Sequence, residues 1–264
     1  MNGLKNKQMG KKTLLFTTIG KMNEESHRIS TEAFSSWKGF DVVVFGEDLE
    51  QHTQICDKHG FILDTDYERC EFGLPIVRGL FKAAERYTGY DVYCYLNADI
   101  KFPSSPQYII DLIEDDNFLL VGQRMDTYQD ERSDNLHLPG GIDYFFYTPD
   151  FWDLSKMPDF NKARGRYDHW LMGNAYTNGN GNVIDLTNEW IPIHQEPKVR
   201  ITGDFGVLFN SGTYLSRAYQ IFRNNYYFAK ARLHGQTDMT RYYVEDGVVK
   251  QRVNEVKNEF GITF

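Results

Sequence analysis

Tyr93-Cys94-Tyr95-Leu96-Asn97-Ala98-Asp99-Ile100 carries an apolar, aromatic run directly into two polar residues separated by one alanine. The run reads as the end of a buried strand. Asn97 and Asp99 therefore emerge at its carboxyl end, the edge at which open α/β sheets bind ligands. An amide and a carboxylate placed there have the oxygen chemistry to hold a hard cation, which in turn bridges a diphosphate. An aspartate capping the following turn is the other reading, and these residues alone leave both open.

The flanking sequence sets that strand in an alternating pattern. Residues 12–18 (Lys-Thr-Leu-Leu-Phe-Thr-Thr) read as a buried first strand ending in small hydroxyl residues and Gly20. Residues 25–37 are weakly helical, Asp41–Phe45 is a second strand halted by Gly46 and two acids, and residues 61–63 suit a short third. Pro75 opens a helical run to Tyr87, with Ile76, Leu80, Phe81 and Ala84 on one face, and Gly89 ends it before the strand 91–96. A helix over residues 106–115 leads to the strand 118–122. Strand alternating with helix predicts an α/β domain with a largely parallel sheet over residues 12–122.

Beyond residue 122 the rhythm changes. Residues 123–139 are polar and loop-like, residues 142–147 form a strand, and residues 162–176 contain a short helix. Asn178-Gly-Asn-Gly-Asn182 is a turn of the kind that joins strands, and a strand follows over 183–186. Near the end come a helical stretch, residues 211–233, and a hairpin turning at Asp246-Gly247. With no repeat, low-complexity tract or linker, the expectation is one compact domain over residues 1–200 with an extension, 201–264, packed on it.

Composition narrows the partners. A chain of 264 residues with 41% hydrophobic and 25% charged residues is long enough for a sizeable core. Its net charge of −8 argues against nucleic acid, which needs a basic footprint. A nucleotide is still compatible, because a metal neutralises its diphosphate locally. The aromatic share of 15% suits rings that stack on sugars, and equally suits core packing. Cys56, Cys70 and Cys94 form no CxxC pair, so a reducing, cytoplasmic compartment is expected. No apolar run reaches the length of a membrane span. The polar, basic residues 1–12 show no secretory signal and leave peripheral contact with anionic lipid open.

Strand-then-Asn-Ala-Asp-Ile resembles the DxD element of GT-A glycosyltransferases, in a variant with Asn in place of the first Asp. Three further segments resemble family-2-like glycosyltransferases of bacteria and viruses: Gly141-Ile-Asp-Tyr-Phe-Phe-Tyr147, Gly165-Arg-Tyr-Asp-His-Trp170, and Val183-Ile-Asp-Leu-Thr187 with Ile193-His194-Gln195. The resemblance covers most of residues 12–200. It implies a GT-A-like, Rossmann-related domain with a mixed sheet and a helical and hairpin C-terminal extension. The nucleotide would bind in the half 12–122 and the acceptor in the half 123–200.

Carried onto this chain, the resemblance makes Asp99 a ligand of Mn²⁺ or Mg²⁺. Asn97, with Ala98 beside it, would face the ribose or the metal. His194 matches the late histidine that supplies a further ligand, and imidazole suits Mn²⁺ better than Mg²⁺. Its alternative is a core histidine bonded to a backbone carbonyl. Asp168 matches the acidic element of inverting members, where a carboxylate deprotonates the acceptor hydroxyl; its alternative is the N-cap of a helix starting near His169. Trp170 would stack on a sugar face or fill core. Thr17, Thr18 and Ile19 end the first strand, where the nucleobase and ribose are read, and Glu47 ends the second. Gly73 precedes a helix whose Arg78 would meet phosphate or remain a solvated surface residue. Gly140 and Gly141, with Asp143, would let the backbone approach the donor sugar, or serve as turn residues.

The activity implied is metal-dependent, inverting transfer of a sugar from a UDP-, GDP- or TDP-sugar to a glycan or glycolipid. Tyr214, Tyr219, Phe222, Tyr226, Tyr227 and Phe228, interleaved with Arg217, Arg223, Lys230 and Arg232, would close over the donor, dock the acceptor or pair subunits. Two rivals stand beside this reading. A sugar-phosphate nucleotidyltransferase usually carries a Gly-rich basic loop after its first strand, where this chain has only Gly20 and Lys21. A catalytically inactive glycan-binding protein is the second, favoured by Asn97.

Overall fold

The computed structural model describes residues 10–128, 131–137, 141–196, 221–227 and 240–252. Gly140 and most of the expected helix 211–233 lie outside them. Of the C-terminal rings, Phe222, Tyr226 and Tyr227 are described, within the helical residues 221–227.

The first half alternates as its sequence pattern requires. In chain order it contains β1 (Thr13–Thr18), α1 (Glu24–Ser36), β2 (Asp41–Phe45), α2 (Glu50–His59), β3 (Ile62–Asp64), α3 (Val77–Ala84), β4 (Val92–Leu96), β5 (Ile100–Lys101), α4 (Gln107–Leu112) and β6 (Phe118–Val121). The second half adds β7 (Met125–Tyr128), β8 (Glu131–Leu136), β9 (Tyr144–Tyr147), α5 (Tyr167–Asn178), β10 (Asn182–Asp185), β11 (Ile193–Glu196), β12 (Tyr242–Glu245) and β13 (Val248–Gln251). A capping box between Asn23 and Ser26 starts α1, and Gly60 at φ 69° closes α2.

Among the described residues these strands form two sheets. The larger has nine strands in the order β13-β12-β10-β6-β9-β4-β1-β2-β3. β9 runs antiparallel to both β4 and β6, and β13 antiparallel to β12; the other neighbours are parallel. The sheet is thus mixed, and the 240–252 hairpin forms one edge of it. Its turn uses Asp246 and Gly247 at φ 54° and 68°, the left-handed pair a two-residue hairpin needs.

The period of two divides the central strands between two cores. Leu14, Phe16, Tyr93, Tyr95, Phe145 and Tyr147 pack on one face with α3 and α5. Leu15, Cys94, Leu96, Tyr144 and Phe146 pack on the other with α1, α2 and α4. Burial on both faces explains why these strands read as unbroken apolar runs.

Two expectations are corrected, and one helix was not anticipated. Residues 123–139 are not all loop, because β7 and β8 lie there. Both belong to a small sheet, β5-β11-β7-β8, and β7 has a polar face, so the buried-strand pattern is absent. The turn 178–182 joins α5 to β10 rather than two strands. Residues 50–59, which drew no helical expectation, form α2, and only His52, Ile55 and Cys56 of it are buried.

The small sheet begins where β4 ends. β4 lies at the heart of the large sheet, Asn97-Ala98-Asp99 follows, and β5 already pairs with β11. This junction is fastened to α1 through Trp37, which is fully buried and donates its indole Nε1–H to the Ile100 carbonyl at 2.9 Å. Trp37→Ala should cost roughly 3–5 kcal/mol through the cavity and the lost bond, read as a lower urea midpoint at unchanged slope.

Candidate active site

Asn97, Ala98 and Asp99 span the gap between the two sheets, and neighbouring backbone fixes them. The Asn97 amide N–H donates to the Asp143 carbonyl at 3.1 Å, Ile100 N–H to the Asn97 carbonyl at 3.2 Å, and Gln195 N–H to the Asp99 carbonyl at 3.1 Å. In β11, His194 is in register with Asp126 of β7 and with Ile100 of β5. That register brings three side chains together. His194 Nδ1 lies 2.9 Å from Asp126 Oδ1, and its Nε2 lies 3.4 Å from Asp99 Oδ2. The other oxygen of Asp99, Oδ1, is enclosed and has no hydrogen-bond partner among the described residues.

The alternative of a core histidine bonded to a carbonyl is therefore not what the structure contains: both ring nitrogens face carboxylates. Burial alone would lower the His194 pKa, but Asp99 and Asp126 outweigh it and lift it to about 9. Burial would likewise raise Asp99, yet His194, Lys162 and Arg124 hold it below the usual carboxylate range. Asp126 is depressed as well, its desolvation overcome by bonds from His194, Arg124 and His137.

The charges continue outward as a connected network. Arg124 Nε donates to Asp126 Oδ1 at 2.8 Å, and its Nη1 bonds Asp143. Asn97 Nδ2 donates to Asp143 Oδ1 at 2.6 Å, while Asn97 Oδ1 accepts from Lys162 Nζ. Lys162 Nζ also donates to the Tyr167 hydroxyl at 2.6 Å, at the first residue of α5. His137 Nδ1 lies 2.7 Å from Asp126 Oδ2. Gly141 packs beneath that imidazole, since a Cβ there would fall 1.9 Å from His137.

Of the residues expected at the site, Asn97, Asp99, Asp143 and His194 share this network, and Ala98 sits among them. Thr17 Oγ1 donates to the Leu96 carbonyl at 2.7 Å and Thr18 Oγ1 to the Phe45 carbonyl at 2.9 Å. Both hydroxyls thus close the carboxyl ends of neighbouring strands, and Ile19 is buried beside them. Glu47 pairs with Arg69 at 3.4 Å at the end of β2. Gly73 takes φ 79° in a tight turn.

Two of the expected residues have protein neighbours of their own. Arg78 reaches Asp159 at 2.7 Å and Glu68 at 3.8 Å. Trp170 is only 3% exposed and packs on Phe160, because α5 turns that face into the core. Asp168 lies in the first turn of α5 and accepts from His169 N–H at 2.8 Å. Arg166, at φ 74°, holds the cap position, so Asp168 is not the N-cap.

Arg124, Asp126, His137, Lys162 and Asn224 escaped the sequence reading. Arg124 and Asp126 alternate within Arg124-Met-Asp126, a period-two polar pattern that marks one strand face. The other three carried no local signal. Asn224, fully buried, accepts from Asn161 N–H at 2.9 Å and donates to the carbonyls of Asn161 and Gly165 at 2.9 and 3.0 Å. It clamps a loop in which Ala163 and Arg166 adopt φ of 63° and 74°.

Could the centre hold a divalent cation? Among the described residues, no three His, Cys, Asp or Glu side chains gather where they could hold a metal. Asp99 and His194 form a pair, and the pair fits. Asp99 Oδ1 is an enclosed oxygen without a partner among the described residues, and a carboxylate on the far nitrogen of an imidazole is the usual way a ligating histidine is oriented.

No protein-family model and no curated protein matches the sequence. Solved structures with a similar fold include S. aureus TarS 1-349, at TM-score 0.49 and 14% identity over 83% of this chain and 73% of that one. S. aureus TarS follows at 0.47 and 14%, over 70% and 37%. The glycosyltransferase GlyE in Streptococcus pneumoniae TIGR4 gives 0.45 and 11%, over 86% and 66%. No helix among the described residues is long and apolar enough to cross a membrane.

Asn224→Ala should lower stability by about 2–3 kcal/mol, since it strands a buried amide and two carbonyls. Hydrogen exchange should rise first in residues 160–167; uniform loss across the sheet would contradict a local clamp.

Proposed function

We propose that this chain is a metal-dependent glycosyltransferase that moves a sugar from a UDP-, GDP- or TDP-sugar to a hydroxyl of a glycan or glycolipid, with inversion. The observation that carries this reading is the Asp99–His194–Asp126 arrangement at the carboxyl end of the parallel strands. The resemblance of residues 93–100, 141–147 and 165–170 to GT-A enzymes supports it from a separate direction.

Asp99 and His194 would hold Mn²⁺ or Mg²⁺, leaving the remaining coordination to the donor's oxygens and water. When bound, the cation supplies Lewis-acid stabilisation of the departing diphosphate. Asp126 keeps the Nδ1 side of His194 occupied and so presents Nε2 toward Asp99. Thr17, Thr18, Ile19 and Glu47 line the adjoining strand ends, where the nucleoside would sit. Asp168, one residue beyond Tyr167 on α5, is the base that accepts the proton of the acceptor hydroxyl.

The first test is a thermal-shift titration of UDP, GDP and TDP with and without Mn²⁺. The wild type should melt higher with nucleotide and Mn²⁺ together. Asp99→Ala should abolish the Mn²⁺-dependent part, and His194→Ala should weaken Mn²⁺ binding about tenfold or more. Unchanged Mn²⁺ affinity in both variants overturns the cation site.

Asp168→Asn tests the base. It preserves size but cannot take the proton, so transfer should drop about a hundredfold at unchanged donor affinity. Wild-type turnover in this variant would remove Asp168 from the mechanism.

A further inference from the structure

Lys162 stands apart from the other site cations. Arg69, Arg78 and Arg124 each have a carboxylate within ion-pair distance. Lys162 is only 9% exposed, and among the described residues no carboxylate comes within ion-pair reach of its ammonium. A buried, unpaired charge is costly. Here the cost is offset by the charge of Asp99, which acts from beyond ion-pair distance, and by the rings of Tyr95 and Tyr167, whose centroids lie 5.2 and 4.9 Å from Nζ. Hydrogen bonds to Asn97 Oδ1 and the Tyr167 hydroxyl take two of its three N–H donors.

The backbone that presents this lysine is held firmly. Its own N–H donates to the Pro75 carbonyl at 2.9 Å. The next four residues include three with positive φ, Ala163, Gly165 and Arg166, and Asn224 pins the loop on either side. Unfavourable backbone of this kind persists only where surrounding contacts over-determine it, and it gathers at ligand sites.

We propose that Lys162 is a binding residue for the diphosphate of the nucleotide donor, and that Asn97 is the residue that positions its ammonium. The proposal rests on the donor reading given above. It also accounts for the amide at position 97. Asn97 accepts from Lys162 through Oδ1 and donates to Asp143 through Nδ2, and a carboxylate, which only accepts, cannot do both. An aspartate there would neutralise Lys162 and set its second oxygen against the Asp143 carboxylate. In this site the positive charge offered to the diphosphate comes partly from the protein, and the amide leaves that charge available.

Calorimetry on the full chain, with UDP, GDP, TDP and inorganic pyrophosphate in the presence and absence of Mn²⁺, tests it. Lys162→Met should weaken binding of pyrophosphate and of the nucleoside diphosphate about tenfold or more, the scale of one lost bond to a charged group. Its ligand-free melting temperature should hold, because an apolar side chain of similar volume replaces a buried charge. Asn97→Asp should weaken the same ligands, since the new carboxylate pairs with the ammonium. It leaves Lys162 in place and carries the test alone if Lys162→Met melts early.

Wild-type affinity in Lys162→Met overturns the proposal while the donor reading stands. Tighter Mn²⁺-dependent binding in Asn97→Asp also overturns it, because residue 97 would then serve the cation. If the wild type binds pyrophosphate but no nucleoside diphosphate, the donor reading falls and the anion site at Lys162 remains. Binding of neither removes both.

Discussion

β4 belongs to one sheet and β5 to another, and only Asn97, Ala98 and Asp99 separate them. A chain leaving the middle of a buried sheet must satisfy its backbone groups at once. Here it does so by hydrogen bonding to Asp143 on one side and to Gln195 on the other. Those bonds bring the approach to β9 and the strand β11 against the same three residues. Everything polar at the centre follows from that crossing. His194 arrives with β11, Asp126 and Arg124 with β7, and Asp143 from just before β9.

Such a gathering of charge in a half-buried place is stable only when it is compensated. Asp126 is met by Arg124 and two imidazoles, Asp143 by Arg124 and Asn97, and Asp99 by His194. The groups form one network rather than separate pairs, so each fixes the orientation of the next. The exceptions stand out against that background. Among the described residues, Asp99 keeps an enclosed oxygen without a hydrogen-bond partner, and Lys162 has no carboxylate within ion-pair distance. One is suited to a cation and the other to an anion, and both lie at the carboxyl end of β4.

The large sheet was legible because burial on both faces leaves long apolar runs, as in residues 92–96 and 144–147. The small sheet was not. β7 and the residue before it present Asp126 and Arg124 to the network, and a strand whose inward face is charged looks like a loop when only hydrophobicity is followed. The surroundings of Arg78 and Trp170 were hidden for a related reason. Each residue type fits a ligand, but which neighbour lies closest depends on how a helix is rotated, and here the neighbours are Asp159 and Phe160.

From its own order of residues this chain determined the alternation of strand and helix, the strand that ends in Asn97 and Asp99, and the Asp-Gly hairpin. All of these rest on local periodicity or on backbone preferences within a few residues. Tertiary structure alone decided that His194 meets Asp126 across 68 residues, that Lys162 rests on Asn97 across 65, and that Asn224 holds the loop between Asn161 and Gly165. Such contacts are set by strand register and loop closure, and no short window of sequence carries either. The meaning of Asn97 was decided there as well. In the sequence it is a departure from an acidic motif, whereas in the fold it accepts from Lys162 and donates to Asp143 at the same time, which an aspartate could not do.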